Sequence, residues 1–313
     1  MPPGPVTATA RLMDARPAAA PPTRSGFAFG ISAYTIWGLI PIYFKLLVGV
    51  PALIIVAHRI LWSLILLGGL LSLVGAWSAV REACRHPATL RLLTLCALLI
   101  GSNWLLYVYA VNSGNILASS LGYYLNPLAN ILLGRFVLKE PLSRSQWLAV
   151  AIAAAGVAIL AVGALGQLWI SLALCGTFAA YGLLRKVARV DAAAGLGIET
   201  AILFFPALLY LLFAADAGQP VWGLDRADTM FLLLCGAVST IPLLMFTAAA
   251  RRLPYSTLGI LQFIAPTLQF LCAVFLFGEA LTAAHAWAFG FIWTAAGLYL
   301  WSALRDRPEH SRP

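Results

Sequence analysis

Charge is what this chain has least of. Only 10% of its 313 residues are Asp, Glu, Lys or Arg, against about 25% in ordinary soluble domains. Acidic residues are the scarcer sign, 11 against 20 basic ones. So few carboxylates argue against a metal centre or an acid–base site built on them. No HExxH, GxSxG or P-loop pattern occurs either. The chain thus carries no enzyme signature, no cofactor is implied, and nothing in it points to direct use of ATP. The five cysteines, Cys84, Cys96, Cys175, Cys235 and Cys272, are odd in number and never CxxC-spaced. That argues against a disulfide framework and a zinc site. The net charge of +9 does not mark a nucleic-acid partner, because the basic residues are scattered over short connections rather than gathered.

What the chain has is apolar length. Hydrophobic residues make up 62% of it, with ten Trp, sixteen Phe and ten Tyr. Apolar runs fall at about 26–45, 51–74, 91–112, 115–137, 145–163, 168–188, 192–214, 228–250, 256–277 and 284–304. Each approaches the roughly 20 residues needed to cross a bilayer. The expected fold is therefore all-α integral membrane, with ten transmembrane helices and no inserted soluble domain. Residues 1–25, rich in Pro and Ala, have no apolar core and are expected to form a disordered cytoplasmic tail, not a cleavable signal. Residues 305–313 form a second tail.

Charge placement supports that count. With the N-terminus cytoplasmic, 17 of the 20 basic residues fall on the inner side, Lys45 and Arg226 fall outside, and Arg59 is left within the membrane. This is the asymmetry of the positive-inside rule. Both termini are then cytoplasmic.

The chain also repeats itself. Gly122 to Pro127, Leu138-Lys-Glu140 and Trp147 return as Gly259 to Pro266, Phe277-Gly-Glu279 and Trp287, and Trp37-Gly38 returns as Tyr181-Gly182. Helices one to five map onto six to ten. Five being odd, the second copy enters the membrane from the opposite face, which is the inverted repeat of alternating-access transporters. The halves are residues 26–163 and 164–304.

Several stretches carry a family likeness: Ile36-Trp-Gly38, His58-Arg59 with Trp62-Ser63, Asn103-Trp104, and Ser120 to Pro127. Further on stand Tyr181 to Lys186, Ile198-Glu-Thr200, Phe246 to Ala250, Ser256 to Gly259 and Gln262 to Thr267. Together they resemble the RarD-type branch of the EamA proteins, in the drug/metabolite transporter superfamily. The resemblance implies two inverted five-helix EamA-like halves around a central cavity, in the inner (plasma) membrane, moving a small metabolite or drug-like molecule. Phe263 and Ala265 depart from the tyrosine and glycine usual at those positions. The implied partners are the lipid bilayer and a small-molecule substrate, not nucleic acid, with a homodimer as a compatible assembly. The competing reading is a non-transporting membrane subunit or an integral-membrane enzyme.

Arg59 is the residue that most needs explaining. A charge at that depth costs about 2.5–3.5 kcal/mol on the mildest scales unless something neutralises it. The repeat places Glu199 at the equivalent depth in the second half, each about 12 Å from its own helix start. Either the two pair as a structural lock, or Arg59 binds an anionic group and Glu199 carries a coupled proton. His58 points away from Arg59 and either relays protons or bonds a neighbouring helix. Asn103, Trp104, Tyr107, Tyr123, Tyr124 and Asn126, with Trp37, Tyr181 and Gln262, have the polar-aromatic character of a cavity wall. Helix packing is the plainer alternative for any one of them. Pro127, Pro206, Pro242 and Pro266 permit kinks, as hinges or as fixed curvature. Ala153 to Gly156 and Ala295 to Gly297 read as close-packing stripes. Lys139, Glu140 and Glu279 sit at helix ends and read as capping or loop residues.

Overall fold

The computed structural model describes residues 23–113, 115–162, 166, 168–278 and 283–305. All regular structure among them is helical: α1 (Arg24–Lys45), α2 (Ala52–Leu73), α3 (Trp77–Arg85), α4 (Pro87–Asn112), α5 (Ile116–Phe136) and α6 (Arg144–Ala161). Then follow α7 (Leu168–Val187), α8 (Ala192–Asp216), α9 (Arg226–Ala250), α10 (Tyr255–Gln262), α11 (Ile264–Phe277) and α12 (Ala283–Arg305). Eight spans are long and apolar enough to cross a bilayer: α1, α2, α4, α6, α7, α8, α9 and the α10–α11 pair. Large apolar side chains such as Ile65, Leu98, Phe205 and Phe275 face outward, as they do where the surrounding solvent is lipid. The protein is an all-α, multi-pass membrane protein.

Two details differ from expectation. The first helix begins at Arg24, inside the expected tail, because Thr23 caps it by accepting from Gly26 N at 3.1 Å. The rest of that tail, residues 1–22, lies outside the described residues, as do Glu279 and residues 306–313. The connection between α2 and α4 is itself a short helix, α3, with Ala83 its only buried side chain. Its polar, largely exposed surface suits a position along the membrane surface. The five cysteines are unbonded; Cys84 on α3 is exposed and the other four are buried.

The principal helix contacts are α6–α12, α5–α7, α1–α9, α2–α9, α5–α10, α2–α8, α1–α11, α4–α7 and α4–α8. Each joins a helix before residue 164 to one after it, so the two parts of the chain are interleaved. The α6–α12 contact runs through Ala149, Ala153, Gly156, Ala288 and Ala295, all buried. Gly297, expected in that stripe, faces open space instead. Without a hydrophobic driving force in lipid, such small residues let backbones approach closely enough for dispersion to hold them. Where α5 crosses α10, a Cβ on Gly259 would stand 2.7 Å from the Pro127 carbonyl. Only glycine fits there.

Pro127, Pro206 and Pro242 lie inside unbroken helices. At Pro266 the helix is interrupted at Phe263, between α10 and α11. A proline cannot bond the carbonyl four residues back. One of the four expected kinks thus coincides with a change of helix.

The start of α10 is satisfied from a distance. Pro254 at its N-cap offers no side chain. Glu140 supplies the acceptors: Oε1 takes Tyr255 N at 2.6 Å, while Oε2 takes Ser256 N at 2.9 Å and Ser256 Oγ at 2.7 Å. Lys139, at φ 58°, turns the chain after α5 so that Glu140 can reach. The carboxylate also complements the positive end of the α10 dipole. Glu140→Ala should lower stability by about 3 kcal/mol, since it strands buried donors, and is checked as a fall in melting temperature of the detergent-solubilised protein.

Candidate substrate-binding site

Arg59 stands on the second turn of α2, facing α4 and α9. Its Nε donates to Ser239 Oγ at 2.8 Å. The guanidinium carbon lies 4.8 Å from the Trp104 ring centre and 5.8 Å from that of Phe44. Tyr43, Tyr107, Tyr123 and Cys235 complete its electrostatic surroundings. The Tyr43 hydroxyl is held by the Phe231 carbonyl and by Cys235 Sγ, and the Tyr107 and Tyr123 rings are 5.9 Å apart. Arg59 and these aromatics are half-buried, whereas Ser239, Cys235 and Ile60 beneath them are buried. Ring faces attract a guanidinium through their quadrupole, which offsets part of its desolvation without neutralising it. Among the described residues no carboxylate pairs with Arg59.

Glu199 does not meet Arg59. Its partner is Arg185, with Nη1 and Oε1 3.1 Å apart and both side chains almost wholly buried. The Tyr181 hydroxyl donates to Glu199 Oε2 at 3.3 Å, and Arg185 Nη2 donates to the Ala192 carbonyl at 3.2 Å. The close Nη1–Oε1 approach lacks hydrogen-bond geometry, so charge holds it more than a directed bond. Of the two readings of these charges, the Arg59–Glu199 lock is not formed; Glu199 pairs with Arg185 instead. Arg185 had counted among the loop charges because it sits in the last turn of α7. Its side chain turns inward, into space that a Cβ on Gly195 would fill.

Above the ion pair lies an aromatic plug. Tyr34, Tyr181, Tyr255 and Phe246 are fully buried. Trp37 and Phe178 close it, their rings 5.9 Å apart, and Trp37 is 5.6 Å from Phe246. Trp37 and Tyr181, expected to line a cavity, here seal one. Beside Trp104 lies a small space of about 10 Å³, bordered also by Ser63, Thr200 and Thr240. That is the size of a single water site at most. The Thr240 hydroxyl is buried there without a partner.

The other expected residues divide. Asn103 donates from Nδ2 to the Leu174 carbonyl at 2.8 Å and to Thr177 Oγ1 at 2.9 Å, tying α4 to α7. Gln262 accepts from Asn130 Nδ2 at 2.6 Å, tying α10 to α5. Both occupy packing contacts. Tyr124 donates to the Pro266 carbonyl at 3.3 Å. Asn126 is buried with neither amide atom bonded, so its partner must come from a ligand, a water or another arrangement of the helices. His58 accepts from Trp62 Nε1 on Nδ1 at 3.1 Å, which leaves Nε2 to donate to the Val221 carbonyl at 2.7 Å. Trp can only donate, so the ring is neutral here and fastens α2 to the 217–225 loop. The sequence marks Arg185 only as a basic residue of the inner side and gives no reading of Ser239. Ser239 carries no signal beyond being a polar residue in an apolar run.

Among the described residues no group of His, Cys, Asp or Glu is placed to hold a metal ion. Residues 24–162 match the model of the EamA-like transporter family. The chain is 47% identical to an uncharacterized transporter of Pseudomonas aeruginosa, covering 91% of this chain and 97% of that protein. It is 43% identical to protein RarD of Escherichia coli, covering 93% and 98%. A solved crystal structure matches with a TM-score of 0.72 at 20% identity, over 90% of this chain and 99% of its own, which shows a shared fold.

The Arg185–Glu199 pair makes a stability prediction. Removing one partner strands a buried charge at a cost of about 3–5 kcal/mol, while replacing both with apolar residues is often neutral. Arg185→Met and Glu199→Leu should each lower the melting temperature sharply, and the double variant should recover most of the loss.

Proposed function

The chain belongs to the EamA-like transporter family, in its RarD branch within the drug/metabolite transporter superfamily, and on that premise we propose that it moves a small molecule by alternating access at the Arg59 site. That family transports rather than catalyses, and its members place this protein in the inner (plasma) membrane as a multi-pass chain. The observation that carries the proposal is the inequality of the two ends of the site. At one end Arg59 and its ring of aromatics keep accessible surface; at the other Tyr34, Tyr181, Tyr255, Phe246 and the Arg185–Glu199 pair are almost wholly buried. The space beside Trp104, Thr200 and Thr240 is only about 10 Å³, too small for a solute, so passage by this route needs a change of shape. Alternating access supplies one.

The proposal includes ten membrane spans, α5 and α12 joining the eight, arranged as two inverted halves with both termini cytoplasmic. Two observations support the inverted halves. Exchanging each span for the one five places along maps the principal contacts onto themselves: α1–α9 becomes α7–α4, α1–α11 becomes α7–α5, and α2–α8 becomes itself. The chain also takes a positive φ at both Lys139 and Gly278, the equivalent positions ending the fourth and ninth spans. In this orientation Arg59 faces the outside and the ion pair the cytoplasm. Opening inward must separate Arg185 from Glu199, and a proton taken up by Glu199 would ease that separation. Glu199 is thus the proposed coupling residue.

Reconstituted vesicles test this with a panel of labelled metabolites, with and without a proton gradient. Arg59→Gln should reduce flux at least about tenfold while insertion is unchanged, the cost of one charge-assisted contact. Glu199→Gln should remove any stimulation by the gradient. Undiminished flux in both variants would overturn the proposed site.

A further inference from the structure

The Arg59 site is unequal in charge as well as in access, and this narrows what can occupy it. This step rests on reading Arg59 as the substrate site. The guanidinium is fixed on one edge by Ser239, through Nε. Its Nη1–Nη2 edge makes no hydrogen bond to any described residue. Trp104 and Phe44 lie near the guanidinium carbon, at 4.8 and 5.8 Å. A guanidinium held this way presents a pre-set fork of parallel N–H donors, the geometry that matches a planar carboxylate.

The acidic residues say what the rest of the ligand must lack. Inside the bundle the described carboxylates are Glu140 and Glu199. Glu140 is spent on the start of α10 and Glu199 on Arg185. The other described acids, Glu82, Asp191, Asp216, Asp225 and Asp228, stand at helix ends or on the short α3. An ammonium brought to the site would find no carboxylate and an uncompensated guanidinium nearby. A cationic ligand is disfavoured on both counts. A zwitterion gains at its carboxylate and loses at its ammonium.

We infer that the Arg59 site recognises the carboxylate of an organic acid bearing no positive charge, with an apolar or aromatic body laid against Trp104, Tyr107 and Tyr123. Ser239 is a positioning residue, since it sets the guanidinium rather than meeting the ligand.

Four probes of one shape decide the matter on the purified, full-length protein in nanodiscs: phenylacetate, phenylacetamide, phenylalanine and phenethylamine, titrated by calorimetry and by tryptophan fluorescence. Phenylacetate should bind at least about tenfold more tightly than its amide, the worth of one charge-assisted pair. Phenylalanine should fall below phenylacetate, and phenethylamine should not bind measurably. Arg59→Gln should bring acid and amide to equal affinity, and Arg59→Lys should restore only part of the gap. Ser239→Ala should weaken phenylacetate a few-fold and leave phenylacetamide unaltered, a split that general damage would not produce. Equal binding of acid and amide by the unaltered protein, or tighter binding of phenylalanine than of phenylacetate, overturns the inference. So does a preference for the acid that survives in Arg59→Gln. Should that variant not fold, the ranking on the unaltered protein decides alone. Vesicles that carry solute while the protein ranks acid with amide would end this inference and leave the transporter reading standing.

Discussion

A guanidinium carried into an apolar bundle must be given something to touch, and this protein answers that demand in two opposite ways. Arg185 receives a counter-charge and a carbonyl, and is buried. Arg59 receives one hydroxyl and the faces of two rings. The first arrangement is closed and self-sufficient. The second offsets part of the desolvation cost and leaves the charge itself unanswered. The charge is matched where the side chains are fully buried, and left without a carboxylate partner where they are half-buried.

The same economy governs the backbone. Lipid offers no hydrogen bonds, so every polar group at depth must be met from within the protein. Glu140 meets the start of α10, Asn103 meets a carbonyl of α7, and Lys186 meets the carbonyls of Ala250 and Leu253. The first two of these cross between the earlier and later parts of the chain, and the Lys186 bonds join two helices of the later part. The polar groups that look like candidate ligand contacts in an apolar sequence are thus largely occupied in joining helices. Among the described residues the Asn126 amide and the Tyr34, Thr240 and Thr247 hydroxyls stay unpaired.

Much of this was legible in the residues. Apolar runs of bilayer length anticipate the helices, and eight of them coincide with helices long and apolar enough to span a bilayer, where a helix satisfies its own backbone. Glu140 at a helix end read as a cap, and it is one. The limits are those of direction. A sequence position near a helix end does not say whether the side chain turns outward or in, so Arg185 was taken for a surface charge and Glu199 lost its true partner. Trp37 and Tyr181 were read as a wall because aromatic character is the same in a wall and in a plug. Asn103 and Gln262 show the parallel ambiguity for amides. Arg59 alone announced itself, since no helix end was near enough to explain it.

The interleaved packing has a consequence for how the protein is made. A chain enters the membrane in order, and helices α1 to α6 arrive before any of their principal partners exist. Until the later helices follow, Glu140 has no α10 to cap, Asn103 has no α7 carbonyl to bond, and the flank of α6 has no α12 against which to lie. The nascent first part waits in the bilayer with its polar groups unmet. Those contacts close one by one as the later helices arrive, and the flank of α6 is covered last, by the final helix of the chain.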